Sequence, residues 1–350
     1  MIKTKATAIF TLFVLVLNLS GLALADTRKA KTKRQSNALV GMLPASDGVA
    51  TFDVKRFFND ALPKVLSANQ PMLDKIIGHL TEMENKTGID VRKFQQVAVG
   101  VTMRSNAKNG VDVDPVAIAR GDFSADSLIS TGKAAAQGKF REEKVGDRNV
   151  VIFPAKDVAK KNVPAGINPA NLEIFGTVID GMPDEIAVTA LDTTTLVIGS
   201  LSRVRQTLDR QTTVSTEITS LLSNSETSVC TFAMRVPEGM AKLVSLDKDE
   251  LGENISSIKL MSGSMDVTAA GASVAMMART AKAEQAKELF TMLDGMMMIG
   301  KAFLGNSKKP EQKVIGRLIE NAKIANRGTD ITINVAVPQS DIDMLVATIK

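Results

Sequence analysis

One histidine, His79, and one cysteine, Cys230, are all that this chain of 350 residues offers to chemistries built on imidazole or thiol. A Ser-His-Asp triad, a Cys-His pair or a histidine metal site would each have to use His79. His79 falls beside the apolar stripe of a predicted helix over 72–86, the position of a solvated helix flank. Cys230 sits in an apolar, strand-like run from Val229 to Met234, where a small buried hydrophobe is expected rather than a reactive thiol. A lone cysteine also excludes an intrachain disulfide. No catalytic residue, metal ligand or cofactor is assigned on this basis.

Serine–lysine chemistry needs no histidine. Ser130 and Lys133 have Ser-x-x-Lys spacing, and Lys86-Thr87-Gly88 supplies a Lys-Thr-Gly triplet. Their order is the reverse of that in penicillin-recognising enzymes. The same spacing recurs from Ser105, Ser245 and Ser256, which is the behaviour of a chance pattern. Asp247, Asp249 and Gly252 match positions 1, 3 and 6 of a calcium loop, but Leu251 and Ile258 stand where oxygen ligands are required. Neither a dinucleotide fingerprint nor a phosphate loop is present. Arg120-Gly121-Asp122 spells an adhesion tripeptide, yet it lies where a predicted strand enters a helix cap, so topology explains it. The most suggestive segment is 281–304. Met292, Met296, Met297, Ile299 and Phe303 outline a candidate apolar groove there, with a buried core helix as the competing reading. Thioether binding of copper(I) is disfavoured, because consecutive methionines on a helix point in different directions.

The elements that must carry these residues can be read from periodicity. Strands are predicted at 49–54, 94–103 and 116–123, hairpins at 140–153 and 185–199, and helices at 56–66, 72–86, 124–136, 201–210 and 281–304. Pro63 should kink or divide its helix, and Gly88 should cap the end of the 72–86 helix. Residues 104–115 read as a loop, 154–169 as an excursion loop, and the Ser/Thr-rich stretch near 212–228 as a domain joint. The second half reads as a replay of the first. Thr51-Phe52 has a counterpart in Thr231-Phe232, 116–120 in 273–279, and 186–208 in 324–349.

The beginning of the chain sets a compartment. Lys3 and Lys5 precede an apolar run from Ile9 to Leu17, and Ala23-Leu24-Ala25 stands before Asp26. That is the pattern of a cleaved secretory signal, with Ala23 and Ala25 as the small cleavage-site residues. The protein is therefore expected to be exported, to a periplasm or beyond. Anchoring in an inner membrane through an uncleaved segment is the alternative, favoured by the basic cluster that follows. Lys3, Lys5, Arg28, Lys29, Lys31, Lys33 and Arg34 account for seven of 43 cations, and Asp26 for one of 38 acids, leaving 36 against 37 in the body. With no net basic footprint, nucleic acid is an unexpected partner. The absence of Trp and Tyr lowers the expectation of carbohydrate or single-strand recognition.

Leu43-Pro44-Ala45-Ser46-Asp47-Gly48-Val49-Ala50, Asp53-Val54, Asn59-Asp60-Ala61-Leu62-Pro63 and the strand-plus-helix unit at 119–128 resemble an uncharacterised family of exported bacterial proteins. The likeness covers most of the mature chain in layout. It implies an exported α+β protein and supplies no catalytic residues. The expected organisation is a signal peptide (1–25), a basic flexible tail (26–42), a first α+β repeat (43–212), a linker (213–227) and a second repeat (228–350). The fold class is α+β, in two related halves, each an antiparallel sheet with helices mainly on one face. The leading function is a non-enzymatic binding or structural module of a bacterial envelope, its partner an envelope component. A carrier of an apolar ligand beside 281–304 comes next, and a hydrolase using carboxylates or Ser/Lys last. Amino-terminal sequencing of the native product should begin at Asp26; an intact Met1 on cytosolic protein would overturn the compartment.

Overall fold

The computed structural model describes residues 38–105, 111–154, 184–222, 228–237, 255–304 and 310–347. Their strands join one antiparallel sheet in the order β11-β12-β10-β9-β8-β1-β2-β3-β7-β6-β5-β4. The first half supplies β1 (Gly48–Asp53), β2 (Phe94–Ser105), β3 (Val111–Gly121), β4 (Arg141–Val145), β5 (Arg148–Pro154), β6 (Glu185–Asp192) and β7 (Thr195–Gly199). The second supplies β8 (Cys230–Arg235), β9 (Ile258–Thr268), β10 (Gly271–Thr280), β11 (Lys323–Arg327) and β12 (Asp330–Pro338). The fold is α+β, as expected, but the halves share a single sheet, and the seam is the antiparallel pair β1–β8.

Local chemistry sets the helices. Asp53 caps α1, which runs as Val54–Arg56, a π-helical Phe57–Ala61 and Leu62–Val65. Pro63 cannot donate a backbone bond, and the widened turn before it, closed by Leu62 N–H to the Phe57 carbonyl, accommodates that loss. Asn69 caps α2 (Gln70–Thr87), which ends on left-handed Gly88. Ser124 caps α3 (Ala125–Ala135) and Ser200 caps α4 (Leu201–Asp209). Then come α5 (Thr216–Leu222), α6 (Ala283–Leu304), α7 (Pro310–Asn321) and α8 (Gln339–Ala347).

The seam is read residue by residue. Thr51 pairs with Thr231, and their hydroxyls share a hydrogen bond of 2.7 Å. Asp47 clamps one end of β1: its carbonyl accepts Arg235 N–H at 2.7 Å and its carboxylate accepts Met103 N–H at 2.9 Å. At the other end Asp53 N–H donates to the Val229 carbonyl at 2.8 Å. Outward from the seam the strand order is alike, β1-β2-β3-β7-β6 on one side and β8-β9-β10-β12-β11 on the other. Matching details include Arg120 and Arg279, each paired across to the first residue of a return strand, Thr195 and Asp330.

Each half carries its main helical layer on one face, but the two layers lie on opposite faces. Strand alternation places Val49, Ala98, Val116, Ile118 and Val197 on one face. There they pack with Leu39, Leu43, Val204 of α4 and Ile218 and Leu221 of α5. Phe52, Val267, Ala272 and Val337 point the other way and pack with Phe57 and Leu62 of α1 and Ile342 and Val346 of α8. Helix α1 belongs to the first half by sequence yet packs beneath strands of the second.

Several sequence expectations are corrected here. Leu39 and Val40 are core residues, so the last part of the 26–42 tail belongs to the fold. The 213–227 linker contains α5, whose Ile218, Leu221 and Leu222 are buried against both halves. In the predicted 104–115 loop, 104–105 and 111–115 are strand. Pro115 is tolerated in β3 because pairing with β7 begins only at Val116, leaving its missing N–H on an open edge.

Replacing Thr51 by Val removes one partner of the seam hydroxyl pair and should cost ~1–2 kcal/mol in urea unfolding. T51V/T231V together should cost clearly less than the sum of the two singles, because no hydroxyl is then left unpaired.

Candidate functional site

The chemically reactive side chains singled out in the sequence are accounted for by structure. Cys230 is buried at the seam, and burial pushes its thiol up to about 12. His79 is exposed on α2, as expected of a helix flank. Lys133 Nζ is tied to Glu142 Oε1 at 2.7 Å and lies over the Phe140 ring, so it is not poised to activate exposed Ser130. Lys86-Thr87-Gly88 is the end of α2. Gly121 is walled in: a Cβ there would fall 2.2 Å from the Lys93 carbonyl, so the Arg-Gly-Asp triplet is no exposed loop tip. Residues 1–37, including Ala23, Ala25 and Asp26, the excursion loop beyond Pro154, and 247–253 lie outside the described residues.

Two carboxylates do converge from the two halves. Asp53 and Asp266 both bond Arg56, the first through its backbone N–H at 2.9 Å and the second through its guanidinium at 2.6 Å. Burial raises both carboxyls. Asp53 is engaged as a helix cap, and Asp266 also accepts Val267 N–H at 2.7 Å, so the cluster serves as a clasp between α1 and β9. Among the described residues no group of three or more Asp, Glu, His or Cys could hold a metal.

Arg203 of α4 is a buried cation, 2% exposed. It donates to the Ala45 carbonyl, Gln206 Oε1 and Ser46 Oγ at 2.8, 2.8 and 2.6 Å. Burial lowers its pKa. The Ser46 hydroxyl occupies the space a side chain at Gly100 would need, 2.5 Å from its ideal Cβ. Arg203 thus secures the turn that leads into β1. On the same face, Arg279 grips Asp330 with two bonds of 2.6 and 2.7 Å, holding the Asp330 carboxyl below the usual range.

What remains without a structural explanation is an apolar stripe on α6. Leu289, Met292, Met296, Ile299 and Phe303 recur at alternating spacings of three and four and therefore share one helix face. At the start of that face Leu289 is buried with Ile258, Ala286 and Ile331, and Met292 and Leu293 pack beside them. The stripe then runs beyond this support. Met296 is 52% exposed, Ile299 60% and Phe303 78%. Helix α7 packs along the neighbouring side, where a Cβ at Gly300 would lie 2.9 Å from Ile319 Cδ1. Met297 is half-buried; Met298 on α6 and Ile315 on α7 add further exposed apolar surface.

All five residues of the sequence-derived groove lie on α6, and four of them share the stripe. The competing reading, a buried core helix, holds only for its first half. Sequence reasoning missed α7 and Ile315; the signal was the stripe of Val314, Leu318 and their neighbours after Pro310, a favoured first helical residue. No helix among the described residues is long and apolar enough to cross a membrane.

No protein-family model and no curated protein matches the chain. Among solved structures, crystal form III of TP0453 is similar with a TM-score of 0.45 and 12% identity, over 89% of this chain and 98% of that one. Crystal form I of TP0453 gives 0.43 and 12%, over 88% and 96%.

Asp330 should contribute stability above the unfolded carboxylate pKa and lose it as pH falls through its lower folded value. D330N should lower the urea midpoint at pH 7, and its difference from the parent should close as pH falls through and below the usual carboxylate range. A difference independent of pH would show that the carboxylate charge is not what matters.

Proposed function

We propose that this protein is a non-enzymatic binding module of the extracytoplasmic bacterial envelope, and that the α6 stripe is its docking surface. The observation that carries this reading is the exposure of Met296, Ile299 and Phe303, which rises along one helix face as that face leaves the sheet. Soluble proteins scatter exposed apolar residues singly; an aligned row of large ones marks a place of contact. Methionines suit such a surface because their unbranched, polarisable side chains repack against different shapes at small cost. Cys230, Lys133, Asp53, Asp266 and Arg203 are engaged in the core, a cap, a clasp or ion pairs, and His79 stands exposed on α2 away from them, which favours binding over catalysis.

The shape favours a ridge over an enclosed groove. A carrier shields its ligand between facing walls, whereas here the most exposed residue, Phe303, is also the last of the row. We also infer that the two halves descend from one ancestral unit. The common strand order about the β1–β8 seam and the equivalent placements of Arg120 and Arg279 support this. On that reading α6 and α7 stand in the second half where α3 and the β4–β5 hairpin stand in the first. The docking element is then the part in which the two copies differ most.

I299S/F303S removes two exposed side chains and should leave stability to urea within about 0.5 kcal/mol of the parent. Its bis-ANS fluorescence and its retention on a hydrophobic-interaction column should fall several-fold. Equal fluorescence and retention for parent and variant would overturn the docking surface.

A further inference from the structure

Resting on the reading of α6 as a docking surface, we propose that its occupant is the headgroup–acyl boundary of an anionic phospholipid bilayer. Charge is segregated along this part of the chain. The acids of α6 are Glu284 and Glu288 in its first turns and Asp294 at its middle, and none follows Asp294. From Gly295 to Ile319 the sequence carries Lys301, Lys308, Lys309, Lys313 and Arg317 against Glu311 alone. Arg317 is committed to Asp341. Lys301 and Lys313 are exposed on the same two helices as the apolar row and Ile315. The body as a whole has nearly balanced charge, so this cluster is a local feature.

An apolar row ending in an aromatic, with Lys301 on the opposite, polar side of the same helix, is the composition of a segment lying in a membrane interface. The apolar side chains enter the acyl boundary, and the lysine stems extend their ammonium groups to lipid phosphates. The geometry suits shallow seating. The row is a few side chains long, and no described helix is able to span a bilayer. A second copy of the chain is a poorer occupant. Pairing tip to tip would bring two sets of lysines together while Glu284 and Glu288 lie toward the opposite end of the helix.

The chain has no Trp and no Tyr, so F303W places a single indole reporter at the tip. The purified chain carrying F303W is mixed with phosphatidylcholine vesicles containing or lacking about 30% phosphatidylglycerol, an anionic content that gives a surface potential of the physiological order. The expected result is a blue-shifted indole emission with the anionic vesicles only, quenched by lipids brominated near the headgroup end of the acyl chain. K301Q/K313Q in the same background should weaken binding roughly 5-fold per lysine, and I299S should weaken it further. The K301Q/K313Q arm separates the tip from the basic residues 28–34, because it leaves those residues unchanged. An unshifted emission with both vesicles overturns the proposal, as does an equal shift with both. A shift that depends on protein concentration without lipid also overturns it and identifies a second copy as the occupant. In that last case the loss of bis-ANS signal in I299S/F303S persists, so the docking surface survives while its lipid partner does not.

Discussion

The hydrogen-bonded pair β1–β8 is the constraint on which the molecule rests. Each strand would otherwise be the open edge of its own half-sheet, with a row of unpaired backbone groups. Pairing them closes both edges at once and joins the twelve strands of the described residues in one sheet. Thr51 and Thr231 mark its centre, and Asp47 and Asp53 hold its ends. The connection is reinforced by exchange of helices. Helix α1 leaves β1 and packs under β9, with Arg56 bound to Asp266, while α5 arrives at β8 with Glu217 bound to Arg235. Neither half completes its core alone, which is how a chain with a single cysteine is held together without a disulfide.

Opposite-face layering follows from where the last helix of each half turns. Helix α4 folds back on the face of Ile118 and Val197, and its Arg203 locks the Ala45–Ser46 turn against Gly100. Helix α8 turns to the other face, where α1 already lies, and Gln339 Nε2 donates to the Lys64 carbonyl at 2.9 Å. Helices α6 and α7 share that second face with α1 and α8, near the β11–β12 end of the sheet. Helix α6 has 22 residues, about 33 Å of length. The buried cluster on the strands ends near Leu293, so the rest of the apolar face extends without sheet beneath it.

Much of the architecture was legible beforehand because its signals are local. Hairpin turns showed in Gly146 and Gly328, both with positive φ, and in Asp192-Thr193-Thr194, where Asp192 accepts Thr194 N–H. One helix start showed in Ser124, whose side chain caps α3. The likeness of Thr51-Phe52 to Thr231-Phe232 was visible as well, although not that these two segments pair with each other. Helix α5 was hidden because three apolar residues in a Ser/Thr-rich stretch lack the period of a longer helix; tertiary burial of Ile218, Leu221 and Leu222 stabilises it. The strand character of 111–115 was hidden by Pro115, whose tolerance depends on which neighbour β3 lacks at that level.

By itself the sequence determined the poverty of reactive groups, the local elements and the apolar periodicity of 281–304, since these depend only on residue type and spacing. It could not determine whether that periodic face is a core or a surface. Burial belongs to what stands opposite a side chain, and only the tertiary structure, by ending the supporting cluster at Leu293, decided that Leu289 is covered and Phe303 is bare.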